Sequence, residues 1–183
     1  MNNVFNNFKW GFLMIMLDFR IAGFDLLPDF IGYIIFFNSL GYLVSQSEFF
    51  DKAKNLSIAM IVFSLFTFYQ KTNNMGNNYN FGNPVIFVIG LIALIVDLIL
   101  VYNIFQGINQ MASVQNKDYL INESDECWRY YLILCFLPLI AIILMFIPVV
   151  LVLFLICLIA FAIYVIYKIF KFMGKCSEEL SMY

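Results

Sequence analysis

Histidine is absent from this 183-residue chain, and charged residues make up only 12% of it. A chain without histidine lacks the commonest metal ligand and the usual general base at neutral pH. Soluble domains carry about a quarter of their residues as charges. These two shortages exclude histidine-dependent catalysis and imidazole metal sites, and they indicate a membrane protein.

Cysteine is also scarce, and its spacing is uninformative. The four cysteines form no C-x-x-C pair, which favours plain buried thiols over a redox or metal site. The net charge of −2 argues against a nucleic-acid partner, which needs a basic surface. We therefore predict no metal, no cofactor and no catalytic residue. The cysteines are Cys127, Cys135, Cys157 and Cys176.

Apolar residues account for 63% of the chain, and the mean hydropathy is +0.89. A membrane-crossing helix needs about 20 mostly apolar residues, with a usual range of about 17 to 25. Residues 28–44, 53–70 and 84–106 each meet this length, whereas 128–172 is too long for one crossing. Pro148 is the expected break in that run, because proline is tolerated in the first turn of a helix but not in its interior. Residues 1–183 are thus predicted to form one all-α transmembrane bundle.

The first apolar segment, residues 8–24, leaves the number of crossings open. It gives six spans if it crosses the membrane, and five spans plus a re-entrant or interfacial first helix if it does not. In the six-span arrangement, eight basic residues lie on one side of the membrane and two on the other. In the five-span arrangement, the numbers are seven and three. Both counts predict a multi-pass protein of the cell membrane, and the six-span count puts both termini in the cytoplasm. The eight are Lys9, Lys52, Lys54, Lys117, Arg129, Lys168, Lys171 and Lys175.

A local signal marks the start of the fifth span. Ser124 is followed by Asp125 and Glu126, which is typical of an N-cap with acids in the first turn of a helix. We expect this helix to begin at Ser124.

Five charged residues are candidates for a ligand- or ion-binding site. Asp18 and Arg20 would lie about 14 and 17 Å beyond Lys9 in a continuous helix, and Asp97 lies about 10 Å from the same face. One hypothesis is a buried cluster in which Arg20 is shared by the two acids, leaving one carboxylate for a proton or a cationic substrate. The alternative is a purely structural Arg–Asp pair.

Asp25 and Asp29 allow two interpretations. Asp25 precedes L-L-P and Asp29 follows Pro28, so both suit the start of a helix through capping or through the helix dipole. Alternatively, Asp18, Asp25 and Asp29, spaced by seven and then four residues, would lie on one helical face and line a vestibule.

The segment R-I-A-G-F-D-L-L-P-D-F-I-G-Y carries a resemblance. It resembles a set of small, uncharacterised multi-pass membrane proteins of Gram-positive bacteria that have a similar F-D-x-L-P-D-x-I-G-Y segment. The resemblance covers residues 20–43, and it implies a membrane location without implying an activity.

Three classes of function remain open. The first is transport or ligand binding through the Asp/Arg cluster. The second is a non-catalytic accessory protein, such as an immunity, regulatory or assembly partner. The third is an enzyme, because Asp18 and Asp97 could form an aspartic dyad, although no flanking signature of such an enzyme is present. The predicted partners are the lipid bilayer and either a second copy of the chain or another membrane protein.

Overall fold

The structure is a computed structural model that describes residues 2–16, 20–21, 24–25, 29–73, 84–144 and 146–180. Two strands, β1 (Arg20–Ile21) and β2 (Phe24–Asp25), form a minimal antiparallel ladder in which Arg20 is opposite Asp25. All other regular structure in the described ranges is helical, which confirms the all-α class. The helices are α1 (Asn2–Met16), α2 (Asp29–Gly41), α3 (Glu48–Asn73), α4 (Pro84–Val114), α5 (Asp118–Leu144) and α6 (Pro148–Glu179), with a short 3-10 turn at Val44–Gln46.

The six described helices form a closed ring. Each helix packs against the next one along the chain, and α6 packs against α1. Short connections favour antiparallel neighbours in helical bundles. Residues in the interior of the ring can therefore come from helices that are distant in sequence.

Two glycines let α1 and α2 approach closely. A β-carbon on Gly32 would lie 3.0 Å from the carbonyl oxygen of Gly11 and 2.7 Å from Cγ1 of Ile15. A β-carbon on Gly11 would in turn overlap the ring of Phe36. Small residues at such crossings allow backbones to pack against each other, which is common among membrane helices.

The segment predicted at residues 8–24 is not one helix. α1 ends at Met16, and the β1–β2 ladder follows before α2 begins at Asp29. The two strands of the ladder are antiparallel, so the chain from Arg20 to Asp25 does not continue the helix of α1. The interpretation that Asp18, Asp25 and Asp29 share one helical face is therefore wrong. The break predicted at Pro148 is confirmed, because Pro148 begins α6.

The start of α5 also differs from the prediction. Ser124 lies inside the helix, where it is buried and its hydroxyl donates to the carbonyl oxygen of Phe105 at 3.3 Å. α5 begins earlier, at Asp118, because Asn116 ends α4 in the left-handed conformation with a φ of 56°. The Lys117 amide then donates to the Ala112 carbonyl, as in a Schellman cap.

One end of the ring holds most of the charged residues, and we call it the charged end. It comprises the first half of α1, the α2–α3 and α4–α5 connections, the beginnings of α3 and α5 that follow them, and the last turns of α6. Lys175 pairs there with Glu123, Lys117 Nζ lies 3.9 Å from Oε2 of Glu179, and Lys168 donates to Glu126 at 2.5 Å. Two further contacts join its parts: Ser47 donates to Gln110 at 2.5 Å, and Lys9 Nζ is 3.5 Å from where a β-carbon on Gly174 would lie.

The remainder of the ring is apolar outside as well as inside. Residues 55–69, 84–102, 130–144 and 148–167 contain no Asp, Glu, Lys or Arg except Asp97. The large side chains that these stretches expose are aliphatic or aromatic, and we call this surface the apolar belt. Its members include Ile58, Val62, Leu65, Ile92, Ile95, Ile99, Ile133, Phe136, Ile140, Val152, Ile156 and Ile163.

Two helices in the described part of the chain are long and apolar enough to cross a membrane, judged by length and composition: Val88–Val114 and Pro148–Glu179. α1 and α2 are short, with 15 and 13 residues, and α3 has Glu48 and Asp51 in its first turn. Two such helices are weak evidence for a membrane location. The described helices therefore do not support six full crossings.

Candidate functional site

Asp97 lies inside the ring, and both of its carboxylate oxygens accept hydrogen bonds from tyrosines. The Tyr33 hydroxyl donates to Oδ1 at 2.8 Å, and the Tyr131 hydroxyl donates to Oδ2 at 2.5 Å. Asp97 is 8% exposed, and both tyrosines are buried. The site therefore consists of one carboxylate held between two phenols.

Three helices supply the site. Asp97 comes from the middle of α4, Tyr33 from the second turn of α2, and Tyr131 from the middle of α5. α4 and α5 are neighbours in the ring, whereas α3 separates α4 from α2 along the chain. The two hydrogen bonds therefore cross the interior of the ring and connect α2 to α4 and α4 to α5.

Aromatic rings surround the two tyrosines. The ring centre of Phe12 lies 6.1 Å from that of Tyr131, and the ring centre of Phe36 lies 6.4 Å from that of Tyr33. Phe12 also contacts Phe36 and Phe105, which are fully buried or nearly so. Such apolar packing lowers the local dielectric constant, which strengthens hydrogen bonds and raises the cost of an unpaired charge.

The carboxylate has hydrogen-bond donors but no cation among the described side chains within 4 Å. In that part of the chain, no group of three or more His, Cys, Asp or Glu could hold a metal ion. Burial makes the charge of this carboxylate expensive, and the two phenol donors only partly replace the lost water. Protonation would remove the charge without requiring any additional space.

Protonation would also rearrange the two hydrogen bonds. An ionised carboxylate accepts on both oxygens, but a carboxylic acid carries one O–H that must itself donate. A proton on Oδ1 would therefore be donated to the oxygen of Tyr33, whose own hydroxyl hydrogen would have to turn to another acceptor. The site can thus convert a change in proton occupancy into a change in the link between α2 and α4.

The other predicted site residues are only partly described. Asp29 is the first residue of α2, as expected from its position after Pro28, and it lies one helical turn, about 6 Å, before Tyr33. Arg20 and Asp25 are backbone partners in the ladder, and their side chains are outside the described part. Asp18 lies outside the described residues altogether. The cluster of Asp18, Arg20 and Asp97 therefore stays a prediction.

Sequence reasoning missed the two tyrosines that bind Asp97. Tyrosines near apolar stretches are usual at the membrane interface, so their presence does not by itself indicate a site. Tyr131 lies seven residues, about 10 Å, after Ser124, which is close to the depth of Asp97, and this shared depth is the signal that could have found it. Tyr33 gave no comparable signal, since its depth depends on where α2 begins.

Comparisons of this chain with family models, with curated proteins and with solved structures found no match. The resemblance stated for residues 20–43 accordingly stays a prediction. Any function must be argued from the arrangement of the residues themselves.

Proposed function

We propose that this chain is an integral membrane protein in which α3, α4, α5 and α6 cross the bilayer. These helices have 26, 31, 27 and 32 residues, so each is about 39 Å long or longer, against a hydrocarbon core of about 30 Å. The apolar belt supports this assignment, because contiguous exposed apolar surface of this kind is rare on soluble monomers.

The two short helices have a different place in the proposal. α1 and α2 are about 22 and 20 Å long, so they enter from the charged end and reach only part of the way across the hydrocarbon core. The charged end lies in the cytoplasm, since Lys and Arg near membrane helices favour that side. The first and last helices then both have their outer ends on the cytoplasmic side.

We further propose that Asp97 is a proton-binding site and that its occupancy serves transport or ligand binding across the membrane. The single observation that carries this proposal is a buried carboxylate in the ring interior with two tyrosine donors and no cation among the described side chains. Ionisable residues within membrane helices are rare and mark functional sites, proton relays among them, which supports a proton-binding role for Asp97.

A proton is favoured over a metal ion by the chemistry of the donors. Both carboxylate oxygens already accept hydrogen bonds, and the donors are neutral phenols. A metal ion would have to displace these hydrogen bonds and gather ligands from further away, whereas a proton binds to an existing lone pair. Tyr33 belongs to the short helix α2, so breaking its bond to Asp97 changes the contact between α2 and the long helix α4.

The experiment is an infrared titration of the full chain in lipid vesicles. Difference spectra between acidic and alkaline buffer should contain the carbonyl band of a buried carboxylic acid, and Asp97→Asn should remove that band. Asp51→Asn is the matched control, because Asp51 is an exposed acid in the first turn of α3. A band that survives in Asp97→Asn would contradict the proposal.

An accessory protein that acts through helix contacts is the second candidate. One observation favours it. The hydroxyl groups of Tyr33 and Tyr131 both donate their hydrogen to Asp97, within the protein, as in a purely structural network. This candidate predicts that Asp97→Asn changes stability alone and that vesicles with an internal pH dye show equal proton movement for both proteins. The transport proposal predicts reduced proton movement in the folded variant.

A further inference from the structure

The charged end carries a surface groove that the Asp97 site does not use. The groove has a volume of about 540 Å³ and lies along the first half of α5. It is open to the outside of the ring, and it is located where the charged end meets the apolar belt. Its lining residues are Asn122, Asp125, Glu126, Trp128 and Arg129.

The groove contains a base and two acids with different partners. Glu126 accepts a hydrogen bond from Lys168 at 2.5 Å, and one oxygen of Asp125 accepts from Asn109 at 2.9 Å. Arg129 is exposed and has no ion-pair partner within 4 Å among the described residues. Counting Lys168, the formal charges of the groove sum to zero. Among the described residues, the guanidinium of Arg129 has no ion-pair partner within 4 Å, and one oxygen of Asp125 accepts no hydrogen bond.

This arrangement suits a zwitterion better than an anion. A guanidinium binds phosphate oxygens through two parallel hydrogen bonds, and a carboxylate accepts from a primary ammonium. Trp128 forms an aromatic wall and contacts Tyr102 of α4, with 5.4 Å between the ring centres. Tryptophan and tyrosine are typical of the level at which lipid headgroups lie.

The helical face below the groove continues as an apolar track. Ile133, Phe136 and Ile140 follow Arg129 at spacings of four, three and four residues, so they share its face of α5, and all three are exposed. The distance from Arg129 to Ile140 is about 16 Å along the helix, which is close to half of the hydrocarbon thickness of about 30 Å. A polar site thus stands above an apolar surface as long as one leaflet.

We propose that this face of α5 binds a phospholipid with a primary ammonium headgroup, of the phosphatidylethanolamine type. The guanidinium of Arg129 receives the phosphate, Asp125 receives the ammonium, and an acyl chain lies along Ile133, Phe136 and Ile140. The proposal rests on the proposed membrane location and is independent of the role of Asp97.

The test uses the full chain in vesicles with equal amounts of phosphatidylethanolamine, phosphatidylcholine and phosphatidylglycerol. After extraction in mild detergent, the lipids that remain bound to each protein are quantified by mass spectrometry. Wild type should retain phosphatidylethanolamine above its share. Arg129→Gln should reduce that retention by about tenfold, which corresponds to one charge-assisted contact.

Asp125→Asn should keep the phosphate contact and lose the preference for phosphatidylethanolamine over phosphatidylcholine. Lys171→Gln is the matched control, because Lys171 is an exposed base at the charged end on α6, outside the groove, and it should leave retention unchanged. If Arg129→Gln does not fold, as judged by its helical circular dichroism, Asp125→Asn decides the question alone.

Three results would overturn the lipid proposal: equal retention of all three lipids, a preference of wild type for phosphatidylglycerol, or an Asp125→Asn protein with the wild-type preference. Failure of the membrane proposal gives a different result, because a wild-type chain that does not float with the vesicles after an alkaline wash is not embedded. A protein that floats but shows no lipid preference refutes only the lipid site.

Discussion

The hydrogen bond between Tyr131 and Asp97 should be measurable as a coupling free energy. Tyr131→Phe removes the hydroxyl that donates to Oδ2 at 2.5 Å and keeps the ring that contacts Phe12. A hydrogen bond to a charged group contributes about 1.5–3 kcal/mol, whereas one to a neutral group contributes about 0.5–1.5 kcal/mol. Tyr131→Phe should therefore cost more in wild type than in Asp97→Asn, by about 1 kcal/mol.

The assay is unfolding in mixed micelles, in which a denaturing detergent is titrated into a mild one and helix content is followed by circular dichroism. The four proteins of the cycle are compared in alkaline and in acidic buffer. The coupling should fall in acidic buffer, because a proton on Asp97 makes the acceptor neutral. Tyr167→Phe is the control, since Tyr167 is 64% exposed, and it should change the free energy of unfolding by less than about 0.5 kcal/mol.

Equal costs of Tyr131→Phe in both backgrounds at every pH would rule out a stabilising hydrogen bond between Tyr131 and Asp97. That outcome would mean that the bond to Asp97 adds nothing beyond the packing of the ring. A coupling that is present but equal in the two buffers would support the hydrogen bond and count against proton binding at Asp97.

Three further predictions concern packing, charge pairing and the membrane. Gly32→Ala should lower the free energy of unfolding by about 1–3 kcal/mol, because the added methyl group overpacks the α1–α2 crossing. Gly90→Ala is the control and should not lower it, because a β-carbon at Gly90 would meet nothing within 4 Å. Equal effects of the two substitutions in the same detergent titration would contradict the close approach of α1 and α2. The hydrogen bond and the positive charge of Lys168 lower the pKa of Glu126 from its ordinary value of 4.5, so this pair should stabilise the fold above about pH 4.5 and lose its effect as pH falls through the lowered pKa. Thermal unfolding of wild type and Glu126→Gln should therefore converge in acid, and a constant difference would argue against the pair. Ile156→Lys changes a side chain that is 60% exposed, and it should reduce membrane insertion. The cost is about 2.5–3.5 kcal/mol if the side chain lies at the bilayer centre. A higher yield of protein that stays in solution without membranes would instead indicate that this position contacts water.

Much of the helical pattern was predictable because it depends on local properties. The apolar stretches at 53–70 and 84–106 lie within α3 and α4, and Pro148 begins α6. Helix ends were less predictable where a side chain is suited both to an N-cap and to a buried position within a helix. Ser124 has the features of an N-cap, but it is buried within α5, because α4 continues to Val114 and α5 begins at Asp118, just after the left-handed Asn116.

The candidate site was predictable only in part. Asp97 stands out in the sequence as the one charged residue in a long apolar run, and the structure shows it to be buried. Its partners could not be derived in the same way. Tyr33 lies 64 positions away and Tyr131 lies 34 positions away, so their contacts depend on how the helices are arranged around the ring.

The sequence by itself determined the composition of the surface and the helical class of this protein. The lack of histidine and of charge, together with the long apolar runs, leaves helices with apolar exteriors as the consistent outcome. Only the tertiary structure decided that the ring closes between α6 and α1, that α1 stops at Met16 and that two tyrosines hold Asp97. The physical reason is that hydropathy acts residue by residue, whereas a hydrogen bond to a buried carboxylate requires groups from three helices to meet at one depth.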